Sequence, residues 1–224
     1  MTTADLPQTD RKTAHPRGRP SLGSGSLIAL VLLLAGIAAT TTYRSDSEDR
    51  TSGKAAFDAS KYAAGTYEPK VVPAIEKNAV DIVTLHKAIA ADPETAGKRY
   101  GHRPGTGPYS YATTVTGTAG AAENGLLRVT VPGLAKARVS VQVGPAVNGT
   151  ALRDSAGFIT FGQFTNQVEY ADAATALNTE MKDKVLRAFD PEAVRGRKVT
   201  VVGAMTPLTA DVLTLTPVSI EAAS

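Results

Sequence analysis

Apolar side chains follow two different rhythms along this chain. Val72, Ile75, Ala79, Ile82, Leu85 and Ile89 fall three or four residues apart, the spacing of a helix face. Asp81 reads as the cap of a second helix, and Pro73 suits the first turn of the first one. Asp92-Pro93-Glu94 is a third start signal, an N-cap followed by Pro at the first helical position. Residues 68–99 therefore predict two or three short helices. GHRPGTGPYS, residues 101–110, is a loop by its Gly and Pro content.

Beyond that loop the period changes to two. SYATTVTG alternates and is rich in β-branched residues, Asn124-Gly125 is a hairpin-type turn, and LLRVTV and ARVSVQVG follow on either side of Pro132-Gly133. A helix is predicted over 172–188, with Ala173, Leu177, Met181, Val185 and Ala188 on one face. KVTVVGAM and VLTLTPVSIEA close the chain as two more strands. Apolar residues occupy odd positions before Pro217 (Leu213, Leu215) and even ones after it (Val218, Ile220). That switch predicts a bulge or a sheet edge at Pro217. Three strands, a helix and two strands is the element order of an OB-fold. The expected class is α+β: short N-terminal helices packed on a five-stranded OB-like β-barrel, with one helix between strands 3 and 4.

One segment fits neither rhythm. SLIALVLLLAGIAATTTY, residues 26–43, is the only long uncharged apolar stretch, and a basic segment precedes it. With its flanking Ser and Thr residues it reaches the roughly 17 residues needed to span a bilayer. The basic flank should stay in the cytoplasm, which places the bulk of the chain outside. Gly36-Ile37-Ala38 before Ala39 loosely satisfies a small-residue cleavage rule, but the long hydrophilic leader favours an uncleaved anchor. The expected layout is a cytoplasmic basic leader (1–25), a transmembrane signal anchor (26–43), a tether (44–56), a helical lobe (57–105) and an OB-like barrel domain (106–224). The expected location is the cell membrane, single-pass, with most of the chain extracytoplasmic.

Charge sharpens this picture. The net charge of +3 lies wholly within residues 1–44, where Arg11, Lys12, Arg17, Arg19 and Arg44 face only Asp5 and Asp10. The remaining residues carry 19 basic and 19 acidic side chains, so they present no overall positive field to attract phosphates. The expected outward residues of the second and third strands are Arg128, Thr130, Arg138, Ser140 and Gln142, and no aromatic lies in either strand. Single-stranded nucleic acid needs stacking aromatics there, so nucleic-acid binding is not expected. There is no cysteine, hence no disulfide, thiolate metal site, cysteine nucleophile or lipidation cysteine.

The catalytic inventory is thin. His15, His86 and His102 are scattered, and none has a ligand partner at metal-site spacing. No metal or other cofactor is expected. Ser155 lacks a nucleophile elbow, GHRPGTG matches neither a Walker loop nor a dinucleotide fingerprint, and Asn148-Gly149-Thr150 reads as a turn.

The densest polar stretch is FTNQVEYAD, residues 164–172, with the segment before it. Phe158, Phe161 and Phe164, spaced by three, are expected to plug the base of the barrel. Arg153 and Asp154 are expected to pair with Glu169 or Asp172. Three readings stay open: a polar network that fixes a long connection with Asp172 as helix cap; a ligand site built from Arg153, Asp154, Asn166, Gln167, Glu169 and Tyr170; or general acid–base catalysis by Glu169 or Asp172. No residue is assigned as catalytic.

Several long segments resemble one family. KVVPAIEKNAVDIVTL, ADPETAGKRYGHRPGTGPYSY, VGPAVNGTALRDSAGFITFGQFTNQVEYADAATALN and GRKVTVVGAMTP with the closing TPVSIE are similar to the bacterial periplasmic lipoproteins called domain of unknown function 2291. The resemblance covers residues 57–222. It implies an exported or lipid-anchored protein of unassigned activity, in a family often encoded beside sugar ABC importers, and it transfers no catalytic residue. The chain departs from the pattern by lacking the lipidation cysteine, which favours a protein anchor. Together these readings point to a non-enzymatic binding or accessory module for sugar ABC-type import. Its expected partners are the membrane through residues 26–43 and a sugar ABC importer or small carbohydrate. The alternatives are an extracytoplasmic hydrolase or sugar-modifying enzyme using Glu169 or Asp172, and a structural partner in a membrane complex.

Overall fold

Three aspartates divide the first of the described residues into short helices. In the computed structural model, which describes residues 56–223, Asp58 accepts from the Lys61 N–H and caps α1 (Ala59–Ala64). A π-helical turn (Tyr67–Val71) leads into α2 (Val72–Asn78), with Pro73 in its first turn. After a two-residue strand, β1 (Val80–Asp81), Asp81 caps α3 (Ile82–Ala91) through the N–H groups of Val83 and Thr84. Asp92 does the same for α4 (Pro93–Tyr100), and Gly101–His102 forms β2. Each cap satisfies N–H groups that have no partner within the helix. The expected leader, the apolar segment and all but the last residue of the tether lie outside the described residues.

The strands follow as β3 (Ser110–Glu123), β4 (Leu126–Thr130) and β5 (Arg138–Gln142). Asn124 and Gly125 take φ of 52° and 78°, the positive pair that a tight hairpin between β3 and β4 requires. Next come α5 (Ala151–Ser155), a 3-10 turn (Phe161–Gln163) and α6 (Gln167–Met181), which runs into a π-helical turn (Lys182–Leu186). Strands β6 (Lys198–Met205) and β7 (Val212–Ala222) end the fold.

Pairing runs β3–β4–β5–β7–β6 and returns from β6 to β3, so the five long strands form a closed ring. The β5–β7 contact is parallel and the other four are antiparallel. Strand β3 changes partner along its length: Tyr111 to Thr118 pair with β6, and Thr118 to Glu123 pair with β4. At Gly117, just before the change, a Cβ would collide with the Thr130 carbonyl, so the strands approach this closely only because the residue is glycine. In β7, Gly203 pairs with Pro217 while Val202 pairs with Ser219, leaving Val218 as the extra residue. Pro217 thus marks a bulge, and it lies just past Leu215, the last β7 residue paired with β5.

Alternation along the strands separates two cores. Val115, Leu127, Val139, Val201 and Leu213, one from each ring strand, belong to a single buried cluster and so fill the ring's interior. Ile82, Leu85 and Ile89 of α3 join it. Wholly buried Leu85 alone contributes on the order of 2 kcal/mol of apolar burial. Ala112, Ala204 and Val218 face the other way and pack with Tyr170, Ala173, Leu177 and Met181 of α6 and with Tyr67, Val71 and Ile75 of the N-terminal helices. Each cluster draws on residues before and after position 105, and Ala56–Ser224 form one compact unit.

Three expectations change. The helix after the third ring strand starts at Gln167 rather than 172, and its cap is Asn166 rather than Asp172. The phenylalanines do not plug the ring: α3 already fills that space. Phe158 and Phe161 are 36% and 47% exposed, because residues 161–163 coil into a 3-10 turn and break the spacing. Phe164 is buried, but in the outer cluster, edge-on to Phe57 at a centroid distance of 5.3 Å. On the outer face of β4 and β5, Arg128, Thr130 and Arg138 are exposed as expected. Ser140 is instead buried, and Gln142 is half-buried and engaged. Its amide nitrogen donates to the Asn148 carbonyl (3.1 Å) and to Thr216 Oγ1 (2.8 Å), and its amide oxygen accepts from the Asn148 N–H (3.0 Å).

Candidate functional site

Helix α5 is short, yet all five of its residues are buried, and three of them are polar: Arg153, Asp154 and Ser155. A buried charge must be paired and hydrogen-bonded to be tolerated. Arg153 Nε donates to Asp154 Oδ1 at 2.8 Å, and Thr150 Oγ1 donates to Asp154 Oδ2 at 2.6 Å. Arg153 also reaches α6, donating through Nη1 to the Tyr170 carbonyl at 2.8 Å. The Tyr170 hydroxyl donates to Asp154 Oδ1 at 3.4 Å. Burial pushes the Tyr170 phenol above its ordinary value; Arg153 opposes this shift and Asp154 reinforces it. Tyr170 therefore remains a hydrogen-bond donor at neutral pH.

This cluster forms one wall of a cleft of about 210 Å³. The other wall is the GHRPGTG loop, which contributes His102 and Arg103; Thr160 and Phe161 complete the rim. His102 packs against Gly157, whose φ is +77° and whose Cβ, were there one, would lie 2.8 Å from the imidazole Cε1 and Nε2. Glycine at 157 thus sets both the backbone turn and the approach of the imidazole. Arg103 is neutralised within the protein: its two terminal nitrogens donate to the Glu94 carboxylate at 3.3 Å, and its guanidinium stacks over Tyr109 at 4.2 Å. Asp154 is neutralised by Arg153. The cleft therefore offers paired charges, hydroxyl and carboxylate hydrogen-bonding groups, and the aromatic ring of Phe161.

The sequence-predicted residues separate into two groups. Arg153, Asp154 and Tyr170 are brought together; Asp154 and Tyr170 line the cleft, and Arg153 braces them. Asn166, Gln167 and Glu169 stand at the start of α6 and do not line the cleft. Asn166 Oδ1 accepts from the Glu169 N–H at 2.9 Å, and Glu169 Oε2 accepts from the Thr165 N–H at 2.8 Å. That reciprocal arrangement is a capping pair. Arg153 and Asp154 pair with each other and not with Glu169 or Asp172. Helical periodicity turns Tyr170 toward α5, leaving Glu169 half-buried at the helix start and Asp172 exposed.

The sequence reading missed His102, Arg103, Thr160 and Phe161 as cleft residues. The available signal was His-Arg inside a Gly/Pro loop that a simple connector does not require. Ser155 is wholly buried and its hydroxyl has no hydrogen-bond partner, a poor setting for a nucleophile. Among the described residues no group of three His, Asp or Glu side chains is placed to hold a metal ion.

Residues 27–221 match the model of a family described as predicted periplasmic lipoprotein, domain of unknown function 2291. The chain belongs to this family. The match starts at Leu27, inside the apolar segment and upstream of the 57–222 span read from the sequence. No curated protein matches the chain. A crystal structure of an OB-fold protein from Thermotoga maritima aligns with a TM-score of 0.61 and 17% identity, covering 75% of this chain and 99% of that one. The likeness shows the OB-fold expected from the element order. The family of predicted periplasmic lipoproteins fits an extracytoplasmic protein, although none of this chain's 224 residues is cysteine. Among the described residues no helix is long and apolar enough to cross a membrane; the predicted anchor, 26–43, lies outside them.

Proposed function

We propose that this family member is a membrane-anchored, extracytoplasmic binding module without enzymatic activity that serves sugar ABC-type import, and that the His102–Tyr170 cleft takes the sugar. The supporting observation is the internal pairing of every charge around the cleft, Asp154 by Arg153 and Arg103 by Glu94. A site whose charges are already matched favours a neutral ligand. Phe161 offers a ring face, while Asp154, Thr160 and the Tyr170 hydroxyl offer hydrogen bonds to ligand hydroxyls. At about 210 Å³ the cleft is smaller than the roughly 300–1,000 Å³ typical of drug-sized ligands, which suits a single sugar ring. The carboxylate of Glu169 is occupied in the α6 cap, and this supports binding over acid–base hydrolysis.

The test is titration calorimetry of the full chain in detergent with D-glucose, D-xylose and D-ribose. Binding of at least one sugar is expected, weakened about tenfold or more by Asp154→Asn, which removes a charge-assisted acceptor. Absence of heat with every sugar at about 10 mM would overturn the carbohydrate assignment. Release of a chemically altered sugar would overturn the non-enzymatic one.

A further inference from the structure

The described residues contain eight arginines, and six have a partner. Arg103 and Arg153 hold Glu94 and Asp154; Arg187 and Arg195 hold Asp183 and Glu192; Arg197 bonds the Ala223 carbonyl; and Arg99 stacks on Tyr100. The two left without an ion pair, side-chain hydrogen bond or aromatic stack among the described residues are Arg128 and Arg138. Both line one cleft of about 280 Å³ on the outer face of β4 and β5. This cleft shares no lining residue with the one described above.

The register explains their meeting. Arg128 lies directly opposite Ser140, and Arg138 precedes Ser140 by two residues, hence on the same face. The two arginines are diagonal neighbours, about 7–8 Å apart by sheet geometry. Like charges at that separation repel, and each guanidinium presents a planar fork that matches a carboxylate. A bound anion between them would relieve the repulsion. Asn124 and Ser140 add hydrogen-bonding groups to the lining, and exposed Leu126 adds an apolar side. Glu123 also lines the cleft and has no cation within ion-pair distance among the described residues. Its carboxylate disfavours a second negative charge on the ligand. The absence of any aromatic ring from the lining removes the stacking platform that a nucleobase would need.

We infer that this cleft is a second binding site, for a hydroxylated monocarboxylate of the sugar-acid class, with Arg128 and Arg138 bracketing the carboxylate and Asn124 and Ser140 meeting its hydroxyls. Glu123 sets the preference for one negative charge over two.

The probe is sodium D-glucuronate, titrated into the full chain in parallel with D-glucose and inorganic phosphate. Glucuronate binding is expected to weaken with added salt and to fall about tenfold or more in Arg128→Gln and in Arg138→Gln. Glu123→Gln should raise the affinity for phosphate. Both arginines are exposed, so neither variant threatens folding. Each should leave the melting temperature of the free protein unchanged or raise it, since repulsion is removed. Glucuronate affinity that is equal in wild type and the Arg128→Gln/Arg138→Gln double variant would overturn the site. So would phosphate binding tighter than glucuronate, or no anion binding at about 10 mM. D-Glucose binding by the double variant reports separately on the neutral cleft, so the two readings can fail independently.

Discussion

The guanidinium carbon of Arg153 lies 3.5 Å from the centroid of the Tyr170 ring, and the same guanidinium donates to the Tyr170 main-chain carbonyl at 2.8 Å. One side chain thus holds both the ring and the backbone of a residue on another helix. Its Nε donates to Asp154 Oδ1 at 2.8 Å, so the orientation of the cleft's acidic wall depends on a buried pair.

Removing one partner of that pair should be costly. Arg153→Met leaves the Asp154 carboxylate buried without its cation and is expected to destabilise the fold by about 3–5 kcal/mol. The double change Arg153→Met/Asp154→Leu should recover most of that loss, because no charge is then stranded. Urea unfolding followed by far-UV circular dichroism measures both. A single-variant loss below about 1 kcal/mol would show that water reaches the pair freely.

The start of α6 separates a structural role from a chemical one. Asn166→Ala removes the acceptor for the Glu169 N–H and should cost about 1 kcal/mol. Glu169→Gln keeps an oxygen that can accept from Thr165 and should cost only a few tenths of a kcal/mol. Neither residue lines the His102–Tyr170 cleft, so sugar affinity should be unchanged in both. Loss of ligand affinity or of any turnover in Glu169→Gln, without loss of stability, would restore Glu169 as a functional group.

Tyr67 carries a prediction in pH. It is buried at 1% exposure, and its hydroxyl has no hydrogen-bond partner. Burial pushes its phenol far above the ordinary value, and Glu68, Glu180 and Glu76 push the same way. With the folded value raised, the stability that depends on a neutral Tyr67 is fully present below about pH 10 and is lost as pH climbs above it. Tyr67→Phe deletes an unsatisfied hydroxyl at almost constant volume, so it should raise stability at neutral pH by about 1 kcal/mol. It should also shift alkaline unfolding upward. Burial raises Tyr62, Tyr111 and Tyr170 as well, so the alkaline transition should move without disappearing. Thermal melts at stepped pH values test this; a destabilised Tyr67→Phe variant would reveal an ordered water on the hydroxyl.

Much of the fold was legible because its signals are local. Asp81, Asp92, Asn124-Gly125 and Pro217 each act within a few residues, and each performs the expected turn, cap or bulge. The α6 start was misread because Asn166 and Asp172 are both good caps by type. What decides between them is the burial of Tyr170 against Arg153, a contact with a different helix. The phenylalanine spacing misled for a related reason: a 3-10 turn changes which way each ring points. Half of the candidate site residues converge because Arg153 and Asp154 are adjacent on one buried helix. His102 and Arg103 stayed hidden because their meeting with Gly157 and Tyr170 is purely tertiary.

The closure of the ring has a bearing on how this protein can meet others. Among the described residues β4, β5 and β6 are paired on both sides along most of their length, whereas β3 and β7 change partner part-way, so residues 216–222 of β7 pair with β6 alone. Another polypeptide therefore finds no template along β4, β5 or β6. Association over those three strands is read out through side chains and loops, which makes it sensitive to single substitutions.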